Sequence, residues 1–127
     1  MNVVLIGAAQ VHVHAIARAL GRALDAMVVD GDALLGIEAD GDDEQRVEAL
    51  ERTLAHPRTR PHAVATYTAP PLALRRLLGQ PGFRLVAIHD HTDAPGASLL
   101  DDHSIVEPPS LDIEAVATRV FGRLVIP

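Results

Sequence analysis

The chain has 127 residues, 17 acidic and 11 basic side chains, and a formal net charge of −6. This length suits one domain with a single core, and the negative charge argues against a nucleic-acid-binding or anionic-membrane surface. The sequence contains no cysteine, which excludes disulfides, iron–sulfur clusters and thiolate zinc sites.

The first 32 residues predict a strand, a loop, a helix and a second strand. An apolar run at residues 3–6 leads to Gly7, and a second apolar run at residues 27–29 leads to the polar segment 30–32. Between the two runs, apolar residues at helical spacing predict one buried helix face: Ile16, Leu20 and Leu24. A unit of this length suits a right-handed parallel crossover.

The rest of the chain continues to alternate between helix and strand patterns. Residues 42–56 and 70–79 predict helices, and residues 63–67, 83–88 and 105–106 predict three further strands. A final helix is expected after Ser110, which is predicted to be its N-cap. This alternation predicts a single domain over residues 1–127, built as a three-layer, doubly wound parallel α/β sheet of five strands.

Polar side chains follow each of the first four predicted strands. Such sheets bind ligands at the carboxyl ends of their strands, near the switch point of the strand order. The polar residues that end or follow strands one to four are, in turn, His12 and His14, Asp30 and Asp32, the segment Thr66-Tyr67-Thr68, and the segment His89-Asp90-His91. The sequence therefore predicts that one polar rim carries the functional site.

The loop after the first strand has the register of a phosphate-binding loop, G-x-x-x-x-G-K-[ST], from Gly7 to His14. The first glycine is present. His12 stands at the second glycine, Val13 at the lysine, and His14 at the hydroxyl residue that would hold magnesium. All 11 basic side chains are arginines, so no lysine elsewhere in the chain can replace the missing one. The loop therefore argues against ATP binding and phosphoryl transfer.

The segments IGAAQVHVHAIARALGRAL and VVDGDALLG resemble the opening of the shikimate kinase and gluconate kinase group of small-molecule P-loop kinases. The resemblance covers the order of elements along most of the chain and implies the strand order 2-3-1-4-5. It implies that Asp30 matches a carboxylate that helps organise magnesium, and that Asp32 matches one that accepts substrate hydroxyls.

The resemblance is weaker at two other places. Arg46 matches the arginine that holds the substrate carboxylate in that group, but Gln45 stands where the group has phenylalanine. The arginine-bearing lid expected after strand four is missing, since residues 92–102 contain no arginine. The resemblance thus implies a shortened fold and a pocket of that kind.

Histidine and aspartate on one rim favour proton-transfer chemistry, because imidazole titrates near neutral pH and a carboxylate can fix its tautomer. We therefore predict a small-molecule biosynthetic enzyme, an isomerase, lyase or cyclase, that does not use ATP. The predicted catalytic residues are His14, Asp32, His89 and His91, and the predicted substrate-binding residues are His12, Asp30, Arg46 and Tyr67. The alternative is a non-catalytic small-molecule-binding or assembly module on the same fold.

Metal binding is the other chemistry that the histidines allow. His89 and His91 alternate along one segment and could join His14 around a divalent ion. An H-x-H pair alone is common, so the sequence predicts no metal and no other cofactor. The expected partner is a small-molecule substrate, and a homodimer stays open. No apolar run approaches the ~20 residues of a membrane span and no signal peptide opens the chain, so the expected location is the cytoplasm.

Overall fold

The computed structural model describes residues 1–33, 43–55, 61–68, 70–89 and 97–125. Within these ranges the strands are β1 (Asn2–Gly7), β2 (Ala26–Asp30), β3 (His62–Tyr67), β4 (Phe83–Ile88) and β5 (Ile105–Glu107). The α-helices are α1 (Val13–Leu24), α2 (Asp43–Ala55), α3 (Arg75–Leu78) and α4 (Ile113–Val125). Short 3-10 helices lie at Ala9–Val11, Leu72–Leu74 and Ala97–Leu99. Among the described helices, none has the length and apolar character that crossing a membrane requires.

The five strands form one parallel sheet in the order β2-β3-β1-β4-β5. β1 pairs with β3 on one side and with β4 on the other, while β2 and β5 form the two edges. The predicted α/β fold and the strand order 2-3-1-4-5 are therefore confirmed. The register places Ile6 opposite Tyr67 and Gly7 opposite Ile88. The carboxyl ends of three neighbouring strands consequently lie at the same edge of the sheet.

Successive residues of β1 belong to opposite halves of the core. Val3 and Leu5 pack in a cluster with residues of α1 and α4, whereas Val4 and Ile6 pack in a second cluster with residues of α2 and α3. All four side chains are at most 1% exposed. Because strand side chains alternate between the two faces, a strand covered by helices on both sides must be apolar throughout. This burial defines the three layers.

The start of the last helix differs from the prediction. α4 begins at Ile113, and the backbone N–H of Ala115 donates to Asp112 Oδ1 at 3.1 Å. Asp112 therefore caps the helix, and the prediction of Ser110 as N-cap is wrong. The Ser110 hydroxyl oxygen instead accepts the N–H of Asp112 at 3.1 Å. The Asp112 carboxylate also lies at the positive end of the helix dipole, which an anion stabilises.

Gly31 allows the segment after β2 to lie close to β3. A Cβ at this position would lie 2.5 Å from the Thr66 carbonyl oxygen and 2.6 Å from the Tyr67 ring. Because backbone would have to move to relieve that overlap, we expect Gly31→Ala to lower the free energy of unfolding by about 1–3 kcal/mol in urea denaturation.

Gly122→Ala is the matched control, because Gly122 lies inside α4 and an added Cβ there meets no atom within 4 Å. Replacing a helical glycine in open space should raise the free energy of unfolding by about 0.5–1 kcal/mol. Equal effects of the two substitutions would contradict the close approach at Gly31.

Candidate functional site

A cavity of about 450 Å³ lies at the carboxyl edge of the sheet. The loop after β1 and the first turns of α1 form one wall, and the segments after β2 and β3 form the other. The described lining residues are His12, Val13, His14, Ala15, Arg18, Asp32 and Thr68. The position follows the general rule for parallel α/β sheets, and the volume falls within the range of small-molecule sites.

His14 lies in the first turn of α1 and connects this helix to β3 and to the segment after β2. Its Nδ1 lies 3.0 Å from Thr66 Oγ1, and its Nε2 lies 3.8 Å from Asp32 Oδ2. Thr66 is fully buried, whereas the His14 side chain is 43% exposed. A buried hydroxyl thus orients the imidazole, and the other ring nitrogen faces a carboxylate at the cavity.

Two carboxylates follow β2 and are held by different contacts. Asp32 accepts the Thr68 N–H at 3.2 Å and 3.1 Å on its two oxygens, and the Thr68 hydroxyl donates to Asp32 Oδ2 at 3.0 Å. Asp30 is exposed, and its Oδ1 accepts the Ala33 N–H at 3.1 Å. His14, Asp30 and Asp32 each place one nitrogen or oxygen atom within 4.8 Å of the other two. The structure thus brings these three predicted site residues together.

Tyr67 lies at the end of β3 with its side chain in the core. Its ring packs in the cluster that contains Ile6, and its hydroxyl oxygen is buried without a hydrogen-bond partner among the described residues. Burial, and secondarily the negative charge of Asp32, raise the pKa of Tyr67 to about 12. Tyr67 therefore stays a neutral hydroxyl donor next to the Asp32 carboxylate.

The loop before α1 contains one residue in the left-handed conformation, and the buried residue Val13 follows it. His12 adopts a left-handed conformation, with φ 57° and ψ 44°, at the position that holds glycine in the loop pattern. Val13, at the lysine position, is only 1% exposed and packs in the core with α1 and α4. The Val11 N–H donates to the Ala8 carbonyl oxygen at 2.9 Å. The residue at the lysine position therefore packs in the core, and the Val11 N–H is hydrogen-bonded within the loop.

The remaining predicted residues do not line the described part of the cavity. Arg46 is half-buried on α2. His89 follows β4, and both of its ring nitrogens are buried without a hydrogen-bond partner in the described ranges. His91 lies outside the described residues, and so does the three-histidine metal arrangement that includes it. The roles predicted for these three residues stay predictions.

Sequence reasoning placed Thr66 and Thr68 on the polar rim without a specific contact and did not mention Arg18, and all three belong to the site. The two threonines flank Tyr67 and contact His14 and Asp32. Arg18 follows His14 by four residues on α1, a spacing that puts both side chains on one helix face and could have indicated it. Within the part of the chain that the structure describes, Arg18 makes no hydrogen bond or ion pair.

A second groove, of about 480 Å³, lies between β5 and α4. Its one described carboxylate, Glu107, is buried and pairs with Arg119 Nε at 3.1 Å and with an Arg123 guanidinium nitrogen at 3.0 Å. The two arginines also donate to the backbone carbonyl oxygens of Pro108 and Val106. These contacts tie the edge strand to α4, so the groove is a structural feature of the sheet edge.

Comparison with known proteins gives a fold assignment. No protein-family model and no curated protein sequence matches the chain. Among solved structures, a gluconokinase from Sinorhizobium meliloti 1021 is similar with a TM-score of 0.66 and 16% identity, covering 97% of this chain and 92% of that chain. A sugar kinase from Janibacter sp. HTCC2649 is similar with a TM-score of 0.53 and 16% identity, covering 98% and 91%. The chain therefore has the fold of the small-molecule P-loop kinases, as the resemblance in sequence implied.

Tyr67 is the only tyrosine of the chain, so its ionisation can be followed by ultraviolet absorbance without interference. We expect the native protein to show a tyrosine pKa of about 12. Asp32→Asn should lower this pKa, because it removes a negative charge that opposes the phenolate, but burial should keep it above the ordinary value. An ordinary tyrosine pKa in the folded protein would contradict the burial of the hydroxyl.

The raised pKa of Tyr67 also makes the free energy of unfolding depend on pH. Because the folded-state pKa of Tyr67 is raised from 10.0 to about 12, its contribution to stability is fully present below pH 10 and is lost as the pH rises toward 12. We expect the free energy of unfolding in urea to fall over this window. In Tyr67→Phe, which cannot ionise, the fall should be smaller.

Proposed function

We propose that this protein is a small-molecule enzyme that uses His14 and Asp32 for proton transfer and does not use ATP. The observation that carries the proposal is the half-exposed imidazole of His14, held between a buried Thr66 hydroxyl and the Asp32 carboxylate at the cavity. Histidine exchanges protons near neutral pH, and a neighbouring carboxylate stabilises its charged form. An isomerase, lyase or cyclase needs such a group to remove and return a proton.

The other side chains around the cavity have complementary roles in this proposal. Asp32, fixed by Thr68, orients His14, and Asp30 accepts a substrate hydroxyl. Arg18 has no partner within the described ranges and lies in the cavity wall, so it is suited to bind an anionic group of the substrate. The substrate is accordingly a small hydroxylated anion of biosynthesis, and Arg46 is a second candidate for its anchor.

The geometry of the loop supports a reaction without ATP. A triphosphate needs positive side chains and free backbone N–H groups that point at its oxygens. Val13 is buried in the core at the lysine position, and the Val11 N–H is already bonded to Ala8. His12 adds a side chain where the loop pattern has glycine. The proposal therefore keeps the kinase fold and its ligand edge but assigns a different reaction to them.

A second candidate function is a non-catalytic binding or assembly module. It is favoured by the exposure of His12 and Asp30, since a catalytic cavity normally excludes water from its reacting groups. The two functions differ in what His14 does. In an enzyme this residue moves protons, whereas in a binding module it contributes to affinity alone.

Titration calorimetry with Mg·ATP tests the first part of the proposal. We expect no measurable binding at millimolar nucleotide, because Val13 supplies no charge at the lysine position and His12 adds a side chain where the loop pattern has glycine. Adenosine is the control, since it separates recognition of the base from recognition of the phosphates. A dissociation constant near ~10 μM, equivalent to ~7 kcal/mol, would contradict the proposal.

Hydrogen–deuterium exchange of substrate carbon-bound protons tests the second part. A panel of hydroxylated carboxylic acids and sugar phosphates is incubated with the protein in D₂O and followed by NMR. We expect exchange in at least one compound, with a bell-shaped dependence on pH and limbs near neutrality. His14→Ala should lower the rate by ~10²–10⁴-fold with little change in stability, because this residue supports little core packing.

His103→Ala is the matched control for this experiment, because His103 is exposed and does not line the cavity. This variant should catalyse deuterium exchange at the rate of the unsubstituted protein. His89→Ala and His91→Ala show whether either residue supplies the second acid–base group. Undiminished exchange by His14→Ala would remove His14 from the chemistry, and binding without exchange would favour the non-catalytic module.

A further inference from the structure

The donor atoms that meet after β1 and β2 are a histidine nitrogen and two carboxylate oxygens, all within 4.8 Å of one another. Imidazole nitrogen and carboxylate oxygen are the ligands that zinc and the neighbouring divalent transition metals take from proteins. The set comes from His14, Asp30 and Asp32, and it differs from the arrangement around His89 and His91 that the sequence suggested. Three protein ligands leave further positions of an ion open to water.

Thr66 favours the histidine tautomer that can bind an ion. Its oxygen lies 3.0 Å from His14 Nδ1 and 3.5 Å from the Val29 carbonyl oxygen. If the hydroxyl donates to the Val29 carbonyl oxygen, its own oxygen is free to accept a hydrogen bond from the Nδ1–H of His14. Nε2 then carries a lone pair, as a metal ligand must. Histidines that bind metals usually donate their other N–H to an oxygen in this way.

The lone pair on Nε2 faces a negative charge. Asp32 Oδ2 lies 3.8 Å away, a distance that is longer than a hydrogen bond. A lone pair and a carboxylate repel each other unless a cation lies between them, either a proton on Nε2 or a metal ion. The separation suits an ion with bonds of about 2.0–2.2 Å to both atoms.

Both carboxylates are already oriented by hydrogen bonds that leave lone pairs available. Thr68 donates its N–H and its hydroxyl to Asp32, and the Ala33 N–H donates to Asp30 Oδ1 only. No hydrogen bond to Asp30 Oδ2 is made within the described residues. Carboxylates that bind metals are commonly fixed by such outer contacts, which reduces the entropy lost when the ion binds.

We propose that His14, Asp30 and Asp32 form a reversible binding site for a divalent transition-metal ion of the zinc type. The imidazole ligand favours such an ion over Mg²⁺, which prefers oxygen ligands. Because the ion and the proton occupy the same nitrogen, a bound ion blocks proton transfer by His14. This inhibition rests on the proposed function, whereas metal binding itself does not.

The test is calorimetric titration of the full-length, tag-free, metal-stripped protein with Zn²⁺ at near-neutral pH. We expect one equivalent to bind and no comparable binding of Mg²⁺, which prefers oxygen ligands. His14→Ala and Asp30→Asn should each weaken Zn²⁺ binding by ~100-fold or more, since each removes a direct ligand. Thr66→Val should weaken it by ~10–100-fold through loss of the outer contact.

His103→Ala is again the matched control and should bind Zn²⁺ like the unsubstituted protein, because this exposed histidine is remote from the three ligands. Asp30 is exposed, so Asp30→Asn is expected to fold even if Thr66→Val does not. Circular dichroism and urea denaturation check the fold of each variant. Stoichiometric binding that survives both His14→Ala and Asp30→Asn, or no binding at ~1 mM Zn²⁺, equivalent to less than ~4 kcal/mol, would overturn the proposal.

The deuterium-exchange assay separates this inference from the proposed function. If Zn²⁺ binds at one equivalent and stops exchange that depends on His14, both are supported. If exchange depends on His14 but Zn²⁺ neither binds nor inhibits, the metal site is wrong and the proposed function stands. If Zn²⁺ binds through His14 and Asp30 but the metal-free protein exchanges no compound, the metal site stands and the proposed function is contradicted.

Discussion

β1 forms parallel hydrogen-bond ladders with β3 on one side and with β4 on the other, and helices cover both of its faces. A strand in this position has no access to water, so its polar backbone groups must all be paired within the sheet. The register of the two ladders is consequently fixed, with Ile6 opposite Tyr67 and Gly7 opposite Ile88. The loop that follows Gly7 therefore starts at the height at which β3 ends.

The end of β3 carries the contacts that organise the site. Side chains alternate along a strand, so Thr66 and Thr68 share one direction and Tyr67 points in the other. Thr66 contacts His14, Thr68 contacts Asp32, and Tyr67 fills the core beside Ile6. One short stretch of backbone thus positions both residues of the proposed acid–base pair.

The likeness to a gluconokinase and a sugar kinase shows the fold, whereas the proposed chemistry depends on His14 in α1 and Asp32 after β2. Val13 illustrates why a similar fold does not bring the same chemistry. Its side chain packs in the core, and an apolar core position cannot also supply a charged group to a phosphate. Among the described lining residues of the cavity, Arg18 carries the positive charge. The proposed proton transfer and the proposed metal binding rest on the same arrangement, because either a proton or a divalent ion at His14 Nε2 would compensate the charge of Asp32.

The sequence alone determined the class of fold, because alternation between strand and helix patterns is a local, periodic signal that burial on two faces imposes on the chain. It also marked His14, Asp30 and Asp32, since residues after strands of a parallel sheet meet at one edge. The sequence pattern gave the wrong N-cap for the last helix, because two nearby residues can both cap a helix. Asp112 rather than Ser110 accepts the Ala115 N–H.

Only the tertiary structure showed that Thr66 orients His14 and that Thr68 fixes Asp32, because these partners lie 52 and 36 residues apart in the chain. It also placed Arg18 in the cavity wall, whereas the resemblance had selected Arg46. Contacts of this kind depend on the register between strands and on the packing of α1 against the sheet. The spacing of residues within a single segment of the sequence does not reveal such contacts.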